Sequence, residues 1–171
     1  MPYVPGSYVA KGAKLVGKVD EVADVAKALS KVDNIADAAS VFKKNKGSII
    51  MGYKELKRTL KSLKISDLGV HHLIEKRFAP TLGLNADDIL SVALDKNLHK
   101  QITQEFRNKI GYNIIDVFRN DVRTGNATPQ QIWDAIKDVY TKFDMEKYLD
   151  PIKEQISAAA KKKGYFIDFS K

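Results

Sequence analysis

The chain contains no cysteine. That absence excludes disulfides, zinc–thiolate centres and thiol nucleophiles together, and it frees the fold from the redox state of its surroundings. No apolar run approaches the ~20 residues that span a bilayer, so stable membrane insertion is not expected. The opening Met1-Pro2-Tyr3-Val4-Pro5-Gly6 lacks the basic-then-apolar layout of a signal peptide and reads as the start of a fragment. There is no internal repeat and no low-complexity tract. Histidine is scarce: His71, His72 and His99 are the whole complement. Side chains suited to metal binding and to proton transfer near neutral pH are therefore confined to one window.

Acidic residues are outnumbered, 21 against 29 basic ones, which leaves a net charge of +8. Such a balance suits a polyanion: a nucleic acid, an anionic membrane surface or an acidic protein. A length of 171 residues with 44% apolar content fits one soluble domain with an appendage.

Residues 13–45 are rich in Ala, Val, Lys and Asp. Leu15, Val19, Val22, Ala26 and Leu29 recur at helical spacing, and Ile35, Ala39 and Phe42 resume the stripe after a break at Ser30–Asn34. Two helices joined by a short turn are expected, acting as a connector or docking arm over residues 1–47. From Tyr53 a basic helix is expected, with Tyr53, Leu56, Leu60 and Leu63 on its apolar side and Lys54, Lys57, Arg58, Lys61 and Lys64 around it. Alternation through Gly69-Val70-His71-His72-Leu73-Ile74 gives a short strand. Ala79-Pro80 and Gly83 mark a loop, and Ile89–Leu94 a second strand. Asp95 is a good N-cap for a helix built on Leu98, Ile102, Phe106 and Ile110 and stopped by Gly111. Further helices follow: from about Ile114 to Gly125, from the capping box at Thr128-Pro129-Gln130-Gln131, and after Asp150-Pro151 to Gly164. Trp133 and Tyr140 read as core. Tyr165–Phe169 adds a strand or an apolar clasp. The fold class is α+β, mostly helical, with two short strands and a helix at its centre.

Strand geometry sends His71 and His72 to opposite faces, so the pair divides its labour. One imidazole serves a metal beside His99, and the other stands free as a general base for water. His99 falls in the first turn of a helix, where the dipole favours the neutral ring that a metal needs.

The runs Gly69-Val70-His71-His72-Leu73-Ile74-Glu75 and Asp88-Ile89-Leu90-Ser91-Val92-Ala93-Leu94-Asp95-Lys96-Asn97-Leu98-His99 together resemble the HNH, or ββα-metal, nucleases. The nearest likeness is to the His-His variants found as C-terminal toxin domains of bacterial polymorphic toxins. It covers roughly residues 66–110. The resemblance implies a ligand role for His71, a general-base role for His72 and a second ligand role for His99. The family usually carries asparagine before the second strand; this chain has Asp87 and Asp88, so Asp88 is a substitute ligand. A further histidine found four residues after the helix histidine in some members is Thr103 here. A metal shell leaning on water and phosphate suits magnesium, with manganese or zinc as alternatives. The implied reaction is phosphodiester hydrolysis in DNA or RNA by residues 48–171. The implied setting is secretion as part of a larger bacterial protein, action in a target-cell cytoplasm, and an acidic immunity protein as partner.

Other residues fit around this site. Glu75 is placed to orient an imidazole or water, or stands as a solvated loop carboxylate. Lys76 and Arg77 are candidates for holding phosphates, as is Arg107, eight residues after His99 on the same helix side. Lys57, Arg58, Lys61 and Lys64 are candidates for gripping a backbone. Two rival readings stay open: a metal-independent ribonuclease using paired histidines, and a non-enzymatic basic helical module that binds nucleic acid or protein.

Overall fold

Histidine-bearing alternation does produce a strand, and it lies at one edge of a small antiparallel sheet. The computed structural model describes residues 14–15, 34–112 and 122–170. The protein is α+β and mostly helical. Its described residues fall into two compact units, one drawn from Met1–His72 with Leu90–Lys96, the other from Leu73–Ile89 with Asn97–Lys171.

The first unit holds the sheet. In chain order it comprises β1 (Lys14–Leu15), α1 (Ile35–Asn45), β2 (Ile49–Gly52), α2 (Tyr53–Ser62), β3 (Leu68–His72) and β4 (Leu90–Asp95). The strand order is β1-β2-β4-β3. Register is fixed by Ile50 opposite Val92 and by His71 and His72 opposite Val92 and Ser91. One face of the sheet packs on α1 and α2: Phe42, Ile49, Met51, Leu56, Leu60, Ile65, Leu68 and Ala93 form one buried cluster. Asn34 starts α1 by accepting a hydrogen bond from the Asp37 amide through its side chain. Leu15 departs from the expected helical stripe and pairs with Ile49 in β1; a two-residue strand is too short to leave an alternation in sequence. The remainder of that stripe, residues 16–33, lies outside the described residues. Phe42, placed by sequence in a connecting arm that ends at residue 47, stands fully buried in this core.

The second unit is helical: α3 (Ala79–Leu82), α4 (Lys96–Lys109, apart from its first residue), α5 (Pro129–Lys142) and α6 (Leu149–Lys163). Phe106 of α4 meets Phe78 and Tyr140 edge-on at 6.4 and 5.7 Å between ring centroids. Both hydrogen bonds of the Thr128–Gln131 capping box are formed at the start of α5. Residues 79–83, expected as a loop, contain the one-turn helix α3, because Pro80 is tolerated at a helix start and Gly83 takes the left-handed φ of 68° that ends it. The helix expected from Ile114 falls largely on residues 113–121, outside the described residues. Its expected end is not helical: Arg123 forms an isolated bridge with Gly111. The tail forms a clasp, with Phe169 edge-on to Trp133 at 4.9 Å and the Asp168 amide donating to the Gln130 side chain. Among the described residues no helix is long and apolar enough to cross a membrane.

Candidate functional site

The alternation of β3 separates the histidine pair. Leu68, Val70 and His72 share the face that carries α2, while His71 lies on the opposite face in one cross-sheet row with Val92 and Ile50. His71 is 1% exposed and both of its row neighbours are fully buried. His72 is half-buried and lies in a row with Ser91 and Met51. The chain passes from β2 into α2 with no intervening loop, through Gly52 in an extended conformation (φ −58°, ψ 145°). Tyr53, the first residue of α2, therefore stays over the sheet. Its ring stacks on the His72 imidazole, with centroids 4.1 Å apart and planes 12° from parallel.

Tyr53, Lys57 and Lys61 recur every four residues, which sets them along one side of α2. Lys57 places its ammonium 6.0 Å from the centre of the Tyr53 ring. Beyond Tyr53 the same side of α2 and the adjoining stretch of β3 enclose an open groove of about 430 Å³. Lys57, Lys61 and Lys64 supply its charge, and Leu60, Ile65, Leu68 and Val70 its apolar lining. Arg58 is about 100° round the helix from Lys57 and does not line the groove. Among the described residues these three ammonium groups meet no carboxylate, whereas Lys43 and Lys46 of the same unit pair with Asp67 and Asp95 at 2.9 and 3.0 Å. Lysine beside it holds the Asp67 carboxyl below the usual range.

Lys64 is the left-handed residue that ends α2, with φ 54°. The Ile65 amide reaches back to the Leu60 carbonyl at 2.9 Å, and the two side chains meet in the core, the arrangement in which glycine is usual. A lysine there costs about 1–2 kcal/mol relative to glycine. The chain bears that cost at a residue whose side chain lines the groove.

In the second unit, Arg77 is nearly buried and fully engaged. Its Nε donates to Glu75 Oε2 at 2.6 Å. Its Nη1 donates to the carbonyls of Ile110 and Gly111 and to Thr124 Oγ1, and its Nη2 to the Phe106 carbonyl. The guanidinium also lies over the rings of Phe78 and Tyr112. It thus adds donors at the C-terminal end of α4, which carries the negative end of the dipole; there the Phe106 and Gly111 carbonyls also accept from the Ile110 and Thr124 amides. Burial raises the Glu75 carboxyl, against the pull of Arg77. Arg107 is exposed and lies over the other ring of that cluster, Tyr112. Lys76 is exposed in the turn 76–78. Asp88 is exposed, and its backbone carbonyl accepts from Gln155 Nε2 at 2.8 Å. His99 sits in the first turn of α4, and burial holds its imidazole below the usual histidine value. The ring is thus biased to the neutral form, by burial where the sequence pointed to the helix end. Among the described residues no three His, Asp or Glu side chains gather as a ligand group.

The structure therefore joins His72 to the lysines of α2, and Glu75 to Arg77. Sequence reasoning missed Tyr53 as the partner of His72; Lys64 stood among the basic residues expected to grip a backbone. The signal for Tyr53 was its place one step before Lys57 in a four-residue repeat. In comparisons with known proteins, no family model, curated protein or solved structure matches the chain.

Proposed function

We propose that this protein is an endonuclease that hydrolyses phosphodiester bonds, with His72 as its general base. The observation that carries the reading is the placement of a half-buried imidazole, stacked on Tyr53, on the sheet face that continues into a lysine-walled groove. Lysine ammonium groups draw in a phosphate backbone and bring a scissile group to the ring. His72 takes a proton from a water whose oxygen bonds to phosphorus; the bond from phosphorus to the leaving oxygen breaks, and that oxygen keeps the electron pair and takes a proton from solvent. Stacking on Tyr53 restricts rotation of the imidazole, so its lone pair is aimed before substrate arrives.

A divalent ion, magnesium first and manganese or zinc as alternatives, belongs to the same reading. His99 fits such an ion in donor chemistry, because burial favours the neutral ring that offers a lone pair. When bound, the ion would neutralise charge on the phosphoryl oxygens. The wider setting we propose is a toxin domain of a larger secreted bacterial protein that acts in a target-cell cytoplasm. The net charge of +8 is the feature that supports an acidic inhibitory partner in the producing cell.

The test is incubation of the purified chain with plasmid DNA and with total RNA, in magnesium, manganese, zinc or chelator. Cleavage of either polymer supports the reading. Cleavage that persists in chelator transfers it to an ion-free ribonuclease, and intact polymers under every condition reject it.

A further inference from the structure

The groove beside His72 has two kinds of wall, and a double helix satisfies only one of them. Lys57, Lys61 and Lys64 provide positive charge; half-buried Val70, backed by the buried Leu60, Ile65 and Leu68, provides an apolar wall. A duplex presents phosphates outward and keeps its base faces stacked inside. A single strand presents both, since unpaired bases turn their faces outward. We infer that the groove binds single-stranded nucleic acid, with phosphates along the lysine row and a base face on the apolar wall, an inference that rests on the nuclease reading.

Three observations support this occupant. Lys57 and Lys61 stand one helical turn apart, about 6 Å along the axis of α2, a step that flexible side chains readily match to neighbouring phosphates. None of the three ammonium groups is neutralised by a carboxylate among the described residues. Lys64 occupies a left-handed position better suited to glycine, so its side chain is kept at a cost to the fold.

The experiment uses the full chain carrying His72→Ala, so that substrate survives. Fluorescence anisotropy compares labelled oligothymidine, oligouridine and a duplex of equal length across a sodium chloride series. Single strands should bind about tenfold tighter than the duplex, the worth of one stacked base. The two single-strand probes distinguish DNA from RNA. Replacing Lys57, Lys61 and Lys64 together by Gln should flatten the slope of log affinity against log salt by about 2, from about 0.7 per phosphate contact on a single strand. Lys64→Gly alone should raise Tm by about 2–4 °C while weakening single-strand binding. Duplex binding as tight as single-strand binding, or an unchanged salt slope in the folded triple variant, overturns the inference. Cleavage by the unsubstituted chain is measured in parallel. If it cuts nothing while the strand preference and slope change hold, the nuclease reading fails and the groove stands. If it cuts normally while the groove variants bind as before, the groove fails and the nuclease reading stands.

Discussion

Arg77 spends its donors inside the fold, on Glu75, Thr124 and the backbone at the end of α4. Both it and Glu75 are nearly buried, at 10% and 12% side-chain exposure. Arg77→Ala would strand the Glu75 carboxylate and take a donor from the Ile110 carbonyl, while the Phe106 and Gly111 carbonyls keep the Ile110 and Thr124 amides. Thermal and denaturant unfolding should show a loss of about 3–5 kcal/mol, and Arg77→Lys should recover little of it, because a lysine cannot supply the fork of donors. A loss within the range of a surface substitution would remove Arg77 from this role. His99 gives a residue-scale test in pH. Its folded pKa is depressed by burial, so the unfolded chain binds the proton more readily than the folded one. The stability it supports is fully present above the unfolded value of about 6.5 and falls as pH drops through the folded pKa. His99→Gln should flatten the stability profile over that acid window. A profile unchanged by the substitution would show that the ring titrates as it does in the unfolded chain. Neither residue's situation is written locally. Sequence marks Arg77 as a cation two places from Glu75, but the carbonyls it donates to are about thirty residues further along.

At the scale of elements, periodicity carried most of the fold. The alternation ending at His72, the four-step stripe of α4 and the capping box of α5 all became the elements they indicated. Punctuation misled once: Pro80 and Gly83 bracket a one-turn helix, since the residues that break long helices also start and stop short ones. The face of β3 that His72 occupies was legible from alternation, but its stacking on Tyr53 was not. That contact depends on β2 turning directly into α2 at Gly52, which is a matter of tertiary register. The first 47 residues show the same limit. Small residues suggested a detachable arm, yet Phe42 of α1 is fully buried among Ile49, Met51 and Leu56. Phe42→Ala should cost about 3–5 kcal/mol through lost burial and the cavity left behind, measured by urea unfolding. A chain starting at Ser48 should lose its cooperative transition for the same reason. A truncated chain that melts as sharply as the full one would restore the detachable arm.

At the scale of the whole molecule, the groove lysines, left without a carboxylate among the described residues, and His72 fall in one unit. The excess of basic residues was legible at once, but not its distribution. Lys43 and Lys46 are spent on Asp67 and Asp95, while Lys57, Lys61 and Lys64 remain for an anion beside His72. The central claim is that this imidazole is the base that drives phosphodiester hydrolysis. The direct measurement is the single-turnover rate of cleavage of a labelled oligonucleotide by the unsubstituted chain and by His72→Ala, with circular dichroism confirming that both are folded. A general base contributes about 10²–10⁴-fold, so the variant should bind the oligonucleotide as before and cleave it slower by that factor. A folded His72→Ala protein that cleaves at close to the original rate would contradict the account.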